Sequence, residues 1–415
     1  MSRKIIALVL LTALGYLFSP EVNYAEEGAP QVDTGTTKEE GTAATKEEEE
    51  KGAVADLVNF IKSIHPGFYI DTSYEYNFNR PKSMTNQLRV FDTEANSFML
   101  NLFQLSFLRT PTMEGGLLNL VGFGVKLDFG EDAQVLSNAD QLDPNSSFNL
   151  QEAYINILAP IGNGLNIIGG KFVTLAGAEV IESKDDFNYS RSFLFGFAIP
   201  FTHTGVRFHY PVAPFDFTVG LVNGWDVVKD NNEPKTIEAK VGLAFEKFSI
   251  GVVGYFGPEE DDATWSQWRE LVDIVATFTP IEKLTLVVNA DFGWQQDVNM
   301  VDPVTDEQFE ENVSWWGVAG YIAYDFNDIV RFAVRGEYFD DPEGFRTGTA
   351  QKLWEITPTL QLRPLAGHTP FDNLLFRLEY RHDQSNEDVF EDHDGDFTKK
   401  TQDTVALELL YYFTL

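Results

Sequence analysis

The chain has 415 residues, 64 acidic against 30 basic side chains, a net charge of -34 and no cysteine. Such acidity argues against nucleic acid as a partner, because phosphate would be repelled, and the missing cysteine leaves no acylation site for a lipoprotein. The mean hydropathy of -0.18 is too polar for a helical membrane protein, whereas 14% aromatic residues argue against a disordered chain.

The N-terminus shows the order of regions typical of a secretory signal. A basic pair precedes an apolar run over residues 5–18, and small residues follow up to Ala25, where we expect cleavage. The alternative is a membrane anchor, but the run is shorter than the ~20 residues that a spanning helix needs. The sequence therefore predicts a signal peptide over residues 1–25.

Two short regions separate this signal from the rest of the chain. Residues 26–51 are rich in Glu, Thr, Gly and Ala and predict a disordered acidic periplasmic linker. Residues 52–66 predict a short amphipathic helix, because Val54, Leu57, Val58 and Ile61 recur at helical spacing. This helix could plug the following domain, pack on its rim, join protomers or simply lead into the first strand.

From residue 67 onward, apolar and polar residues alternate in short segments that are joined in turn by tight turns and long acidic loops. A closed transmembrane β-barrel requires this pattern, since every strand crosses the bilayer and only alternate residues meet lipid. In the last segment, Leu407 and Leu409 share one face and Ala406 and Glu408 the other. We predict about 16 antiparallel strands, with 14 to 18 allowed, near 67–78, 96–108, 117–129, 149–159, 165–174, 202–210, 215–225, 236–245, 248–256, 268–279, 283–295, 314–324, 329–339, 352–363, 374–382 and 403–415.

The connections predict which end of the barrel faces outward. Tight turns such as Pro211–Pro214 contrast with long acidic loops such as Asp302–Glu311 and Asp383–Asp396. Bacterial barrels place short turns in the periplasm, so both termini are expected there. Five tryptophans are then expected to form an aromatic girdle at the outer interface: Trp225, Trp268, Trp294, Trp316 and Trp354.

A soluble β-sandwich is the competing architecture, because its strands also alternate apolar and polar residues. A sandwich packs a dry core on one face of each strand, yet three predicted strands here carry charged and polar residues repeatedly on the face opposite the expected lipid face. Charged side chains are costly against lipid and are solvated in a water-filled lumen, which favours the barrel. The arginines expected to line this lumen are Arg331, Arg335, Arg377 and Arg381.

The longest break in the alternation is the segment over residues 175–200, which contains both apolar runs and charges. An external loop should not need Phe193, Phe195 and Phe197, so we expect the segment to fold inward and narrow the pore. Opposed charges across a constriction create a transverse field that orients polar solutes and filters ions. The segment offers Glu179, Glu182, Asp185, Asp186 and Arg191, and the next strand offers a lumenal ladder of His203, Arg207 and His209.

The same region resembles a known porin family. The similarity is carried by Gly169-Gly-Lys-Phe-Val173, Gly177-Ala-Glu-Val180, Asn188-Tyr-Ser-Arg-Ser192, Phe201-Thr-His-Thr-Gly-Val-Arg207 and Gly220-Leu-Val-Asn-Gly-Trp-Asp226. These blocks resemble the OmpL-like outer-membrane porins of the second β-barrel porin family, and the resemblance covers most of the chain after residue 67. It implies a diffusion channel in the outer membrane. We expect neither a cofactor nor a metal.

Other chemistry is disfavoured by the residues themselves. Ser190, His203 and Asp186 could form a hydrolase triad, but triads are recognised by geometry, and no nucleophile elbow or zinc-binding His pair occurs. Asp392–Asp396 resembles a calcium loop, yet its glycine is misplaced and the acidic twelfth ligand is absent. The chain is therefore expected not to be an enzyme.

The sequence thus predicts an outer-membrane porin that admits small hydrophilic solutes or ions by diffusion. Its expected partners are outer-membrane lipid, lipopolysaccharide and these solutes, and a homotrimer is compatible with the pattern. The acidic loops either stay solvated or hold divalent cations loosely near lipopolysaccharide phosphates. The alternatives are an outer-membrane barrel enzyme and a non-conducting adhesin or structural barrel.

Overall fold

The structure is a computed structural model of the chain and describes residues 57–141, 143–261, 267–301 and 308–414. The predicted signal peptide, the acidic linker, residues 52–56 of the predicted helix and Leu415 lie outside the described residues, as does part of the predicted loop Asp302–Glu311. A short helix covers residues 57–62. Among the described residues, no helix is both long enough and apolar enough to cross a bilayer.

In the described part of the chain, sixteen antiparallel strands close into one barrel. Each strand pairs with its neighbours in chain order, and β1 pairs with β18 to close the wall. The strands are β1 (His65–Asn77), β2 (Ser97–Arg109), β3 (Val121–Phe129), β4 (Phe148–Ala159), β5 (Leu165–Val173), β6 (Thr202–Val212), β7 (Phe215–Val222), β8 (Thr236–Ala244), β9 (Phe248–Pro258), β10 (Trp268–Ile281), β11 (Leu284–Val301), β12 (Gln308–Asp325), β13 (Val330–Asp341), β14 (Gln351–Leu362), β15 (Leu374–Ser385), the separate hairpin β16 (Phe390–Glu391) and β17 (Phe397–Lys399), and β18 (Thr401–Thr414). The predicted closed antiparallel barrel with a short N-terminal helix is confirmed.

Strand β14 shows why this sequence closes into a membrane barrel. Glu355, Thr357 and Thr359 are buried, whereas Trp354 and Ile356, between and beside them, are exposed. Because successive side chains point to opposite faces, the strand presents polar groups inward and apolar groups outward. This arrangement is the reverse of a soluble sandwich, and it lets every strand contact lipid while its backbone bonds stay within the wall.

Three strand ends differ from the prediction by four or more residues. Strand β3 begins at Val121 rather than 117, because Leu117–Leu120 forms a 3-10 turn, in which the Leu118 carbonyl accepts a bond from Arg109. Strands β11 and β12 continue past their predicted ends, and β12 already begins at Gln308 within the predicted acidic loop. Backbone pairing continues there after a register shift between Gln295 and Val298, since a two-stranded ribbon tolerates acidic side chains when they remain solvated.

The barrel interior contains an apolar cluster that the sequence analysis does not predict. Phe91 from the β1–β2 connection and Leu136 from the helix Glu131–Asp140 pack with Phe195, and the rings of Phe91 and Phe195 lie 5.7 Å apart. Wall residues such as Trp315 join the same cluster. Three connections from the long-loop end therefore meet inside the barrel, and the interior is not lined by polar groups alone.

Candidate functional site in the barrel interior

Residues 175–200, hereafter the inner segment, bond to the inner face of the wall through their backbone. Glu337 of β13 accepts bonds from the backbone N–H groups of Phe193 and Leu194. Glu379 of β15 likewise accepts from Tyr189, at 2.7 Å, and from Ser190, at 2.9 Å. A non-regular segment away from water must find partners for its N–H groups, and two wall glutamates supply four of them.

Arg335 connects the inner segment to strands β13 and β14. Its Nη1 donates to Glu179 Oε1 at 2.7 Å, and its Nε donates to Glu355 Oε1 at 2.8 Å. Its Nη2 donates to Ser190 Oγ at 3.1 Å. The Arg335 side chain has no exposed surface, so this guanidinium has a structural role.

Arg377 and Arg381 have similar roles on β15. Arg377 donates to Glu408 at 3.0 Å and to the backbone carbonyls of Ser183 and Asp186, at 2.9 and 2.7 Å. Arg381 donates to Asp383 at 2.7 Å and to the carbonyl of Arg191. The prediction that these arginines and Arg335 line an open pore is wrong, because the inner segment covers them and takes their hydrogen bonds.

The acids of the inner segment and Arg207, which were predicted to face each other across the constriction, each have other ion-pair partners. Arg207 pairs with Glu238 on the neighbouring strand at 2.7 Å. Each buried acid of the segment takes a nearer cation. Glu179 pairs with Arg335 at 2.7 Å, Glu182 with Lys126 at 2.6 Å and Asp186 with Arg191 at 3.5 Å. Burying an unpaired charge is costly, and these local pairs satisfy the charges without a facing wall of the opposite sign.

The remaining predicted lumenal residues differ in their access to solvent. Arg331 lies near the tight-turn end, is about one third exposed and pairs with Asp325 at 2.6 Å. His209 is half-buried and lies 3.1 Å from Thr218 Oγ1. His203 is buried, with its Nδ1 2.8 Å from the Gly224 carbonyl oxygen. The ladder on β6 therefore has one accessible histidine.

One side of the inner segment stays open to solvent. The side chain of Asp185 is 57% exposed, Lys184 beside it is 20% exposed and Val180 is 41% exposed. Between the inner segment and the wall at β7–β10 lies a cavity of about 230 Å³, lined by Leu175, Gly177, Asp216, Lys240 and Asp273 among others. Lys184 Nζ lies 5.4 Å from the ring centroid of Tyr412 on β18, so the exposed Lys184 and Asp185 are beside β18, whereas the charged residues Asp216 and Lys240 line the cavity at β7–β10.

No hydrolase triad forms from the residues that could have supplied one. Ser190 Oγ accepts from Arg335 and its N–H donates to Glu379, whereas the His203 ring stacks on Tyr255 with 4.7 Å between centroids. Ser190 and His203 thus have separate partners. Asp392, His393 and Asp394 place potential ligand atoms within 4.8 Å of one another, but Asp392 accepts bonds from backbone N–H groups of its own loop, as an ordinary turn does.

The tryptophans divide between the two faces of the wall. Trp316 and Trp354 are both 39% exposed on outward faces, and Trp268 and Trp294 lie on the outward faces of β10 and β11. Trp225 is wrongly predicted as a girdle residue. It follows the end of β7 at Val222, is 7% exposed and packs edge-on against Trp315 inside the barrel.

Several interior contacts could not be found from the sequence pattern. Arg89, in the β1–β2 connection, bonds Asp383 at 2.6 Å, and Asp140 of the helix Glu131–Asp140 bonds Lys171. Alternation places Asp383 and Lys171 on inward faces, but it gives no signal for which connection supplies their partners. These pairs add two more connections to the set that is fixed to the inner wall.

The closed barrel, its apolar exterior and its polar inner wall define an outer-membrane channel-type β-barrel. Over residues 63–413 the chain matches the family described as "Putative beta-barrel porin-2, OmpL-like". The protein belongs to this porin family, as its sequence blocks suggested. A search of curated proteins finds no match to the chain.

Solved structures of outer-membrane proteins share the fold at low sequence identity. The outer membrane channel DcaP of Acinetobacter baumannii is 13% identical with a TM-score of 0.57, over 84% of this chain and 97% of that one. The anion-selective porin from Comamonas acidovorans is 10% identical with a TM-score of 0.56, over 85% and 99%. The trimer form of OmpT of Vibrio cholerae is 10% identical with a TM-score of 0.51, over 84% and 99%.

Proposed function

We propose that this porin is a passive diffusion channel for small hydrophilic solutes or ions, and that the inner segment narrows its lumen. The observation that carries this proposal is the cavity that remains beside the segment. Backbone N–H groups and Glu179 of the segment bond to β13 and β15, whereas the cavity lies between the segment and β7–β10. The path for solutes then runs along the wall formed by β6–β10, where His209, Asp216 and Lys240 are half-buried.

The accessible charges of this path are the ones that act on a passing ion. A buried ion pair has a short-range field because its two charges nearly cancel at a distance, whereas a single exposed charge acts over about 8 Å at physiological salt. The candidates are Asp216 and Lys240, which line the cavity, because Lys184 and Asp185 pair with each other. Their mixture favours weak ion selectivity, with polar solutes oriented locally.

The same proposal includes the surroundings of the barrel. Both termini and the tight turns face the periplasm, and the long acidic loops face the outside, following the usual arrangement of bacterial barrels. Outer-membrane lipid contacts the apolar exterior, and lipopolysaccharide meets the acidic loops. A homotrimer is supported by the trimer form of the similar OmpT. A protease-cleavable tag inserted at Asp383–Asp396 should be cut on intact cells, and one at Pro211–Pro214 should resist; the reverse would contradict this orientation.

Planar-bilayer recording tests the channel directly. Purified protein should give discrete conductance steps, and deletion of Ile181–Gly196 should enlarge them, because an obstruction is removed while all sixteen strands remain. The packed apolar cluster inside the barrel favours one competing function, a non-conducting structural barrel. A folded, heat-modifiable barrel without conductance steps would support that alternative and contradict the channel. Steps unchanged by the deletion would leave a channel but refute the constriction.

A further inference from the structure

Two arginines lie close together in an aromatic frame at the long-loop end of the barrel. Arg269 belongs to the start of β10, and Arg346 lies in the β13–β14 connection. Their guanidinium carbons are 4.9 and 5.3 Å from the ring centroid of Trp225. The same two carbons are 5.5 and 5.8 Å from the ring of Phe345. Aromatic faces hold both cations in place but offer them no negative charge.

The guanidinium groups have few hydrogen-bond acceptors. Arg346 donates through Nε to the Phe197 carbonyl, and Arg269 donates through Nε to Gln295. The closest carboxylate oxygen to Arg269 is that of Glu260 at 4.0 Å. Within the part of the chain that the structure describes, Arg346 has no carboxylate within that distance, and neither arginine bonds through its terminal nitrogens. The terminal N–H groups of both guanidinium groups are therefore available to a ligand.

An independent donor at the same place also lacks a partner. Trp225 is 7% exposed, and its indole Nε1 has no hydrogen-bond partner among the described residues. Buried polar groups in proteins are nearly always bonded. The ring that carries this N–H is the ring that both guanidinium groups contact. The unpaired indole N–H lies beside two guanidinium groups whose terminal N–H groups are also unpaired. This cluster of donors indicates a binding site for a ligand with several hydrogen-bond acceptors.

The nearby acids do not serve as that ligand. Asp226 Oδ1 accepts from the backbone N–H groups of Phe201 and Thr202, at 2.6 and 2.9 Å. Glu259 Oε2 accepts from the Trp225 backbone N–H at 2.9 Å. Burial raises the pKa of Glu259 to about 7, so this acid is partly neutral near neutral pH. Burial and the charge of Arg269 lower the pKa of Arg346 to about 9, and the charges of Asp226 and Asp341 offset this only in part.

We propose that Arg269, Arg346 and the Trp225 indole N–H form a capture site for the carboxylate of a small organic acid. This inference rests on the proposed diffusion channel and names a solute class for its long-loop entrance. A carboxylate matches the flat fork of a guanidinium with two parallel hydrogen bonds. Its remaining lone pairs can accept a hydrogen bond from the indole N–H. Half-buried Phe345 offers an apolar surface for the organic part of the molecule.

Calorimetric titration of the folded full-length protein in detergent tests this site, with sodium benzoate as the probe. The wild type should bind benzoate saturably, and neutral benzamide should not bind. Arg269→Gln and Arg346→Gln should each weaken binding by roughly 10- to 100-fold, the usual loss for one charge-assisted bond. Trp225→Phe keeps the ring but removes the N–H and should weaken binding several-fold. Arg363→Gln, which removes a cation distant in sequence that pairs with Asp372 at 3.9 Å, should match the wild type.

Several outcomes would overturn the capture site: no saturable benzoate binding by the wild type, equal binding of benzamide, or unchanged binding in both arginine variants. Retained heat-modifiable mobility shows that each variant is folded, so lost binding cannot be assigned to misfolding. Inorganic phosphate binding as tightly as benzoate would refute the carboxylate assignment. Because binding is measured without conductance, its failure leaves the channel proposal intact, and a non-conducting barrel that binds benzoate would refute the channel alone.

Discussion

Replacing Arg335 with methionine should loosen one half of the inner segment and leave the other half docked. The change leaves the carboxylates of Glu179 and Glu355, which are 4% and 0% exposed, without their bonded cation. Removing one partner of a buried ion pair costs about 3–5 kcal/mol. The residues from Phe193 to Ile199 should stay in place, because each large apolar side chain buried there contributes about 1.5–3 kcal/mol.

Cysteine labelling can measure this difference because the chain contains no cysteine of its own. Ser192→Cys reports on the polar half and Ala198→Cys on the apolar half, and both sites are buried in the wild type. In the Arg335→Met background, maleimide labelling of S192C should accelerate by about 10²- to 10³-fold, since each 1.4 kcal/mol is tenfold. Labelling of A198C should change little, and bilayer conductance should rise.

Two further variants sharpen the test. Adding Glu179→Gln to Arg335→Met removes one uncompensated charge and should restore much of the S192C protection. Arg363→Gln breaks a pair whose partners are each about one third exposed, so it should cost less than about 1 kcal/mol and leave labelling unchanged. Unchanged S192C labelling in Arg335→Met, or equal acceleration at both reporters, would refute the division of the segment into a charge-held and an apolar-held half.

Three other predictions follow from the same contacts. Asp216→Asn should shift the reversal potential in a salt gradient toward anions, because Asp216 lines the cavity, whereas Glu182→Gln, whose carboxylate is already paired with Lys126, should shift it less; equal shifts would contradict the assignment of accessible charge. The pKa of Glu259 is raised from 4.5 to about 7 by burial, so its contribution to stability is complete below pH 4.5 and is lost as pH rises through 7. Protease cleavage of the 223–235 connection should therefore accelerate over that interval more than in Glu259→Gln, and parallel profiles would exclude this cause. Deleting Leu407–Leu415 should prevent membrane insertion, because it leaves two unpaired edges; recovery of heat-modifiable protein in the membrane would show that β18 does not close the barrel.

The wall of the barrel could be predicted from the sequence because its signal is local. The alternation of Leu407, Glu408 and Leu409 follows from period-2 geometry, and the structure pairs these residues with β1 and β15 as a closing strand. Tight turns likewise depend on a few adjacent residues. Long strands β11 and β12 were underestimated, because their acidic ends carry no apolar alternation.

The interior could not be predicted in the same way, because its contacts join residues far apart in the sequence. Nothing local distinguishes Arg335, which is fully covered, from Arg331, which is about one third exposed on the same strand. Trp225 follows a strand at the end expected for a girdle, yet the connection after Val222 turns inward and carries it into the barrel. The difference arises from where the connections dock, and alternation contains no information about docking.

Charged residues on the inner wall therefore have two distinct roles. On β13, β15 and β18, charges such as Arg335, Glu379 and Glu408 bond to the inner segment or to one another, and in doing so they fix an irregular chain inside the barrel. Their fields are cancelled locally by short pairs. At β7–β10, Asp216 and Lys240 line a cavity, and in the proposed channel their fields would reach a passing solute. Because the buried charges fix the segment against β13, β15 and β18 while this cavity remains, the proposal implies that selectivity should follow the few accessible charges and not the total charge of the lumen.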